Sequence, residues 1–460
     1  MKMEEYINTL TEQIRCKKAR DSIAQEMTNH ILDQAEIYEQ KGIGHDEAVE
    51  KAVHEMGDPV AAGVALDRVH RPQLDWRMLV MTLLFSIAGL FLMYTAGGMS
   101  ESPGIFQRQC MYTFFSFGVI ALVYFMDYSF IGRHGLLLYF IMTTAFFVIR
   151  ASALYEYSFL HLHWVIGLHW VNGRMPIFCA IVYLYVPIFA GVLYQFRGQQ
   201  IAGVIKSLAF VLLTGILVLY FTGSVFLGAN VGLVLLAMLI FAIVKGWYQI
   251  NKKVVLTVLI LCCVGTFLAC VLMVLFGTTY RKVRVLAFFN PDAYNNTAGY
   301  VYALIRENIS YAKFFGTSRG TGDLANWMQN QTSDQAFVLL RTIFTYGIIA
   351  GIAVVAAFLC FGLRSYKVAK SQKIQLGKMV SVSCLITMMC ICIEGVLMNV
   401  GLYPGTTLQF PFLSYGGSAT LTYAVLIGLL MSCHRHENIV TDTFIKRKPT
   451  WHLNVKLERR

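Results

Sequence analysis

The feature that most limits what this chain can fold into is a series of apolar runs, each long enough to cross a bilayer as one helix. They fall at about residues 78–97, 109–126, 131–149, 175–195, 201–222, 225–246, 253–277, 335–363, 379–400 and 415–433. In hydrocarbon every backbone N–H and C=O must be satisfied within the protein, so apolar runs of this length predict helices. Composition agrees: 57% of residues are hydrophobic and 14% charged, with a mean hydropathy of +0.57. A soluble domain carries about a quarter charged residues. The expectation is an all-α polytopic membrane protein with about ten transmembrane helices and a small N-terminal helical domain.

The net charge of +12 conceals two regions of opposite sign. Residues 1–70 hold 8 Lys and Arg against 14 Asp and Glu, which leaves 30 basic and 12 acidic side chains for the rest. Within that acidic head, Tyr6, Ile7, Leu10 and Ile14 form one helical stripe, and Ile23, Met27, Ile31, Ala35 and Tyr38 form another. A third helix begins near Asp46 and is expected to end at Gly57, with Pro59 just beyond. The head lacks the apolar core of a secretory signal. It is read as a self-contained module that binds a partner or nothing.

Ten spans place both termini on one side. The segment from Arg364 to Lys378 carries five basic residues and no acid, the Lys245–Lys253 turn carries three, and the tail after Cys433 is basic. The positive-inside rule assigns these to the cytoplasm. The predicted organisation is a cytoplasmic acidic domain at 1–72, a membrane domain at 73–436 with a large extracytoplasmic loop at 278–334, and a basic cytoplasmic tail at 437–460.

That loop contains the polar stretch Tyr280–Asp334. It opens with Arg281, Lys282 and Arg284, continues with Arg306, Lys313 and Arg319, and closes on a carboxylate, Asp334. Cations in a translocated loop fit an anionic ligand such as a phosphate or pyrophosphate, or are solvated charges that a long loop tolerates. Glu394 lies inside the ninth apolar run, where a carboxylate is either functional or held by a structural hydrogen bond. His161, His163 and His169 interleave with Trp164 and Trp170 and read as an interfacial aromatic belt, so no metal ligand set is assigned. Asp323 and Asp334 leave a divalent cation open as a cofactor, although their spacing is not diagnostic. Cys262, Cys263, Cys270, Cys360, Cys384, Cys390 and Cys392 lie in apolar runs and read as small membrane hydrophobes.

Residues 401–418 read GLYPGTTLQFPFLSYGGS. Pro404 and Pro411 interrupt regular helix, and Gly416 and Gly417 permit close backbone approach. Irregular backbone at membrane depth is buried in protein or lines a polar cavity, so Pro411, Ser414, Tyr415, Gly416, Gly417 and Ser418 are cavity-lining candidates. The stretch resembles the signature of the SEDS family (shape, elongation, division and sporulation), the FtsW, RodA and SpoVE proteins, which runs G-L-L-P-V-T-G-I-P-L-P-F-x-S-Y-G-G-S. Gly401, Leu402, Pro404, Thr406, Pro411, Phe412, Ser414, Tyr415, Gly416, Gly417 and Ser418 match it without a gap. Arg284, Phe288, Asn290, Pro291, Gly299 and Tyr300 are similar to the opening of that family's large outer loop, and TSDQAF resembles its H-T-D-F-I-F. The head resembles a permease prefix domain.

The resemblance implies a peptidoglycan glycosyltransferase that polymerises lipid II, an undecaprenyl-pyrophosphate-linked substrate, outside the bacterial cytoplasmic membrane in division, elongation or sporulation. A class B penicillin-binding protein is the implied partner, and nucleic acid is not. Asp334 falls on the carboxylate the family uses for catalysis. Arg281, Lys282 and Arg284 become candidates for the pyrophosphate, with Arg341 a fourth, and Trp164 corresponds to a residue of the first outer loop. After the aspartate the family has A-V-I-G-E-E-L-G, whereas this chain has Thr342 and Ile343 at the glutamates and Arg341 at the glycine. A catalytically degenerate relative, acting as a transporter of lipid-linked precursors or as a wall-synthesis scaffold, therefore stays open. An unrelated ion-coupled transporter is less favoured, because no inverted repeat is evident.

Overall fold

A computed structural model describes residues 2–95, 103–154, 176–276, 279–294, 299–318, 337–403 and 409–437. Among them there is no strand, and the chain is a multi-pass membrane protein. It divides into two compact units, one built chiefly on Met1–Gln73 and the other on Leu74–Gln372 and Leu376–His434.

The first unit holds four helices, α1 (Met3–Glu12), α2 (Lys17–Glu39), α3 (His45–Glu55) and α4 (Pro59–His70). Tyr6, Leu10, Ile14, Ile23, Ile31, Ala35 and Tyr38 form its core with Ala48, Ala52 and Val53, and the predicted Ile7 and Met27 pack against it. The fourth helix follows the expected end of the third at Gly57. Gly57 takes a left-handed φ of 76° and does end α3. Asp58 then accepts from the Val60 and Ala61 amides at 3.2 and 3.0 Å, and Pro59 occupies the first turn. One short motif thus stops a helix and starts another. The Tyr6 hydroxyl donates to the Met56 carbonyl at 3.1 Å and ties α1 to this junction.

The second unit holds α5 (Trp76–Thr95), α6 (Pro103–Phe125), α7 (Ser129–Leu154), α8 (Pro176–Ile181), α9 (Tyr185–Gln195), α10 (Ile201–Thr222), α11 (Val225–Val244) and α12 (Lys252–Leu275). Then come α13 (Thr279–Phe289), α14 (Tyr300–Ser310), α15 (Val338–Tyr346), α16 (Ile348–Ser371), α17 (Gln375–Asn399) and α18 (Gly417–Arg435). Among the described residues, eight helices are long and apolar enough to cross a membrane. The predicted 175–195 segment is broken by a 3₁₀ turn, Val182–Leu184, between α8 and α9. The 253–277 segment is α12, whose 24 residues extend about 36 Å.

Two interruptions break the regular helices of this unit. The predicted 335–363 run is two helices, because Gly347 adopts φ +97° and a Cβ there would lie 2.5 Å from the Phe314 carbonyl oxygen. In α7, His134 leaves helical geometry at φ −118°, ψ 21°. Gln195 meets the disturbed turn, donating to the Gly132 and Arg133 carbonyls at 3.1 and 2.8 Å and accepting from the Leu136 amide at 3.3 Å. Such repair by a neighbouring helix is what permits a kink in a span. The same two helices approach closely at Gly135 and Gly191, where a Cβ on Gly135 would sit 2.6 Å from the Gly191 carbonyl carbon.

Candidate functional site

The described part of the signature stretch, 409–418, is fixed from three directions. Inside it, the Phe410 amide donates to the Ser414 hydroxyl at 2.9 Å and the Ser414 amide returns to the Phe410 carbonyl at 3.2 Å. From α6, buried Gln109 accepts from the Gly416 amide at 3.2 Å and donates to the Thr420 hydroxyl at 3.4 Å. From α18, the Tyr423 hydroxyl donates to the Gln409 carbonyl at 2.6 Å. These bonds satisfy backbone groups that no helix ladder satisfies. Phe412 has φ +60°, unusual for an aromatic residue, and its carbonyl lies so close to α5 that a Cβ on Gly89 would collide with it.

The cavity-lining candidates therefore divide. Pro411, Ser414 and Gly416 are buried, and the Ser414 hydroxyl is a hydrogen-bonding strut of the turn. Tyr415, Gly417 and Ser418 are half-buried, with the Tyr415 ring 6.2 Å from that of Tyr112. Gln109 was not singled out from sequence, since a lone glutamine in an apolar run announces no partner 307 positions away.

The large loop is partly helical. Leu304 and Ile305 of α14 pack on Phe337, Leu340 and Met398, with Val301, Phe344 and Tyr403 around them. At the start of α15 the Leu340 amide donates to Asn399 Oδ1 at 2.9 Å, while Asn399 Nδ2 donates to the Gly395 carbonyl at 2.7 Å. One buried asparagine thus joins α15 to the end of α17. Residues 313–318 cross the α15–α16 junction: the Ser318 amide donates to the Phe344 carbonyl at 2.8 Å, Gly316 to Tyr346 at 3.2 Å, and Ile348 to Lys313 at 2.8 Å.

Of the predicted cations, Arg281, Lys282 and Arg284 are on α13. Lys282 is exposed, and the other two are described at the backbone only. Arg306 donates to the Phe288 carbonyl at 3.4 Å, so it links α14 to α13. Arg341 is half-buried on α15. The Thr342 hydroxyl, at a family glutamate position, bonds back to the Val338 carbonyl at 2.7 Å. Asp334, Asp323, Arg319, Trp164, the three loop histidines, Pro404 and Thr406 lie outside the described residues.

Glu394 lies five residues before the end of α17 and is half-buried. Tyr403 donates to its Oε1 at 3.3 Å, Tyr183 to its Oε2 at 3.4 Å, and Asn230 Nδ2 to Oε1 and to the Tyr183 hydroxyl, the latter at 3.3 Å. The donors come from the 3₁₀ turn before α9, from α11 and from the chain just past α17. The sequence flagged the acid; Tyr183 and Asn230, each in an apolar run, were invisible as its partners. A second buried acid, Asp75, accepts from Arg364 Nε on α16 at 2.8 Å and from the Met78 amide at 3.2 Å.

Comparison with known proteins bears on this arrangement. The chain is 26% identical over 160 residues to the peptidoglycan glycosyltransferase RodA of Treponema pallidum, covering 34% of this chain and 36% of that one. It is 29% identical over 163 residues to a probable peptidoglycan glycosyltransferase FtsW of Synechocystis, covering 35% and 40%. These alignments take in less than half the length of each relative. Among solved structures, a peptidoglycan synthase complex described as coordinating polymerization and crosslinking is similar with a TM-score of 0.55 and 18% identity, covering 79% of this chain and 98% of that one. Crystalline RodA of Thermus thermophilus is similar with a TM-score of 0.52 and 13% identity, over 79% and 97%. These are likenesses of fold. The family model described as cell cycle protein, FtsW/RodA/SpoVE, matches residues 74–439. That match covers the whole helical array from the buried Asp75 through α18, so the chain belongs to the FtsW/RodA/SpoVE family of cell cycle proteins.

Proposed function

We propose that this protein is a peptidoglycan glycosyltransferase that polymerises lipid II on the outer face of the bacterial cytoplasmic membrane. The acceptor sugar hydroxyl attacks the anomeric carbon of the donor, a C–O bond forms, and the bond to undecaprenyl pyrophosphate breaks. Asp334 takes the hydroxyl proton, and Arg281, Lys282, Arg284 and Arg341 oppose the charge that develops on the leaving pyrophosphate. The observation that carries this reading is the anchoring of α15. Leu340 is capped by Asn399 and packed on Leu304 and Ile305, so the start of α15, which follows Asp334 in the sequence, is held against the end of α17. A base needs such rigid support to reach a hydroxyl in productive geometry. The names of the curated relatives support the same chemistry. The basic segments at 245–253 and 364–378 support cytoplasmic termini by the positive-inside rule, and the likeness to a synthase complex supports a class B penicillin-binding protein as partner.

A second reading has its own observation. α15 places Thr342 and Ile343 where the family pattern has glutamates, and the threonine hydroxyl is committed to its own helix. A scaffold or precursor transporter would need no acid there. The test is to purify the protein with its partner, supply lipid II and resolve glycan ladders on a gel, with and without a chelator. The wild type makes polymer, and Asp334→Ala lowers the rate at least about 100-fold. Equal polymer from the alanine variant removes Asp334 as the base. No polymer from a folded complex favours the scaffold or transporter, and loss of polymer with chelator alone brings in a divalent cation beside Asp334 and Asp323.

A further inference from the structure

Glu394 has no counterpart in the chemistry proposed above, yet it is the most heavily bonded acid in the described membrane helices. The groups that face it are Tyr183, Asn230, Tyr403, Tyr423 and Cys390. All are neutral at pH 7, and among the described residues no cation approaches it. Three donors from different places in the chain converge on one carboxylate, so its role is to hold those places together. A carboxyl group is well suited to this, because its two oxygens can accept hydrogen bonds from several donors at once.

The partner that gives this meaning is Tyr403. In the signature pattern this position is an aliphatic residue, whereas this chain has a hydroxyl-bearing ring. The adjacent Leu402 is 63% exposed, but Tyr403 turns inward. Its hydroxyl donates to Glu394, its ring lies 6.0 Å from Phe226 of α11, and its body packs on the cluster of Leu304, Ile305, Phe337, Leu340 and Met398. One residue thus touches the buried acid, a membrane helix and the loop helices. Gly401, in a left-handed conformation at φ +76°, makes the turn that allows it.

We propose that Glu394 is a positioning residue. Through Tyr403 it clamps both the start of the 401–418 segment and the α14–α15 layer to the membrane helices, and so sets the alignment of the start of α15. The catalytic part of this inference rests on the glycosyltransferase reading; the clamp itself does not.

The test uses the full-length protein in lipid nanodiscs and follows backbone hydrogen exchange by mass spectrometry in Glu394→Gln, Tyr403→Phe and the double variant. Each single change is expected to speed exchange over residues 337–346 and 400–418 about fivefold, and the double change no further than either single one. Unchanged exchange, additive effects in the double variant, or a uniform rise across all helices overturns the clamp. A second arm measures polymerisation of lipid II: Glu394→Gln is expected to lower kcat about tenfold with KM held within about twofold. A rise in KM alone overturns the positioning role. If the wild type makes no polymer, the glycosyltransferase reading fails, and the exchange arm still decides the clamp.

Discussion

Two acids in the membrane unit, buried Asp75 and half-buried Glu394, solve the same problem in opposite ways. Asp75, at the mouth of α5, has a guanidinium against it, Arg364 Nε at 2.8 Å, and its side chain is 1% exposed. Glu394, near the end of α17, has hydroxyls and an amide as its partners among the described residues. An ion pair places a counter-charge beside the acid and leaves each partner dependent on the other. A fan of neutral donors sets no counter-charge beside the acid but draws several elements to one point. The first arrangement joins two helices, whereas the second joins four stretches of chain, which is why a positioning role falls to Glu394.

The comparison breaks or sharpens under mutation, and the largest effect is expected at Asp75. Asp75→Ala strands Arg364 and removes the cap on Met78, which should lower stability by about 3 kcal/mol in reversible denaturation from mixed micelles. Replacing both partners, Asp75→Leu with Arg364→Met, should recover most of that loss, to within about 1 kcal/mol of wild type. If the double variant is as unstable as the single one, the pair is itself a net source of stability and the contrast with Glu394 weakens. Next in size is Glu394→Gln, expected to cost less than about 1 kcal/mol because no counter-cation is left unpaired. A loss as large as that of Asp75→Ala would show that Glu394 has a charged partner.

The smallest effect belongs to a charge pair in water. In the N-terminal unit, exposed His45 bonds Glu39, and that hydrogen bond, aided by the charge of Glu39, raises the imidazole pKa above its ordinary value. A raised histidine contributes stability that is fully present below its unfolded value of about 6.5 and is lost as pH rises through the folded value. Amide exchange over residues 39–56 of the full chain should therefore be slightly slower at pH 5.5 than at pH 8.5, after correction for intrinsic rates. Glu39→Gln should abolish the difference. Glu55, whose pKa is lowered by its bond from Tyr38, is ionised throughout that window and does not confuse the reading. A persistent difference in Glu39→Gln would assign the pH dependence to another group.

What could be read in the sequence was whatever repeats locally. The stripes Tyr6–Ile14 and Ile23–Tyr38 face the core as their spacing demands, and the apolar runs are helices because hydrocarbon permits little else. Local punctuation was harder. Pro59 reads equally as a stop after α3 and as the first residue of α4, and only the cap from Asp58 decides. Gly347 is one glycine in a long apolar run, and neither its positive φ nor the closeness of the Phe314 carbonyl, which leaves no room for a Cβ, is encoded in a local pattern. Partnerships across the chain were not legible at all. Asp75 with Arg364, Gln109 with Gly416, and Asn230 with Glu394 are each separated by more than 160 positions. A polar side chain in an apolar run signals that a partner exists, but its spacing does not say which.

The crossing of the α15–α16 junction by residues 313–318 has a consequence for anyone altering this protein. A break at a glycine ordinarily acts as a swivel, yet here four main-chain hydrogen bonds tie residues 313–318 to both sides of it like a splint. Tilt of α16 is then transmitted to the loop helices instead of dissipating at the break. The stretch from Lys313 to Ser318 should accordingly be left out of any map of sites for tags or linkers, however much it resembles a free loop.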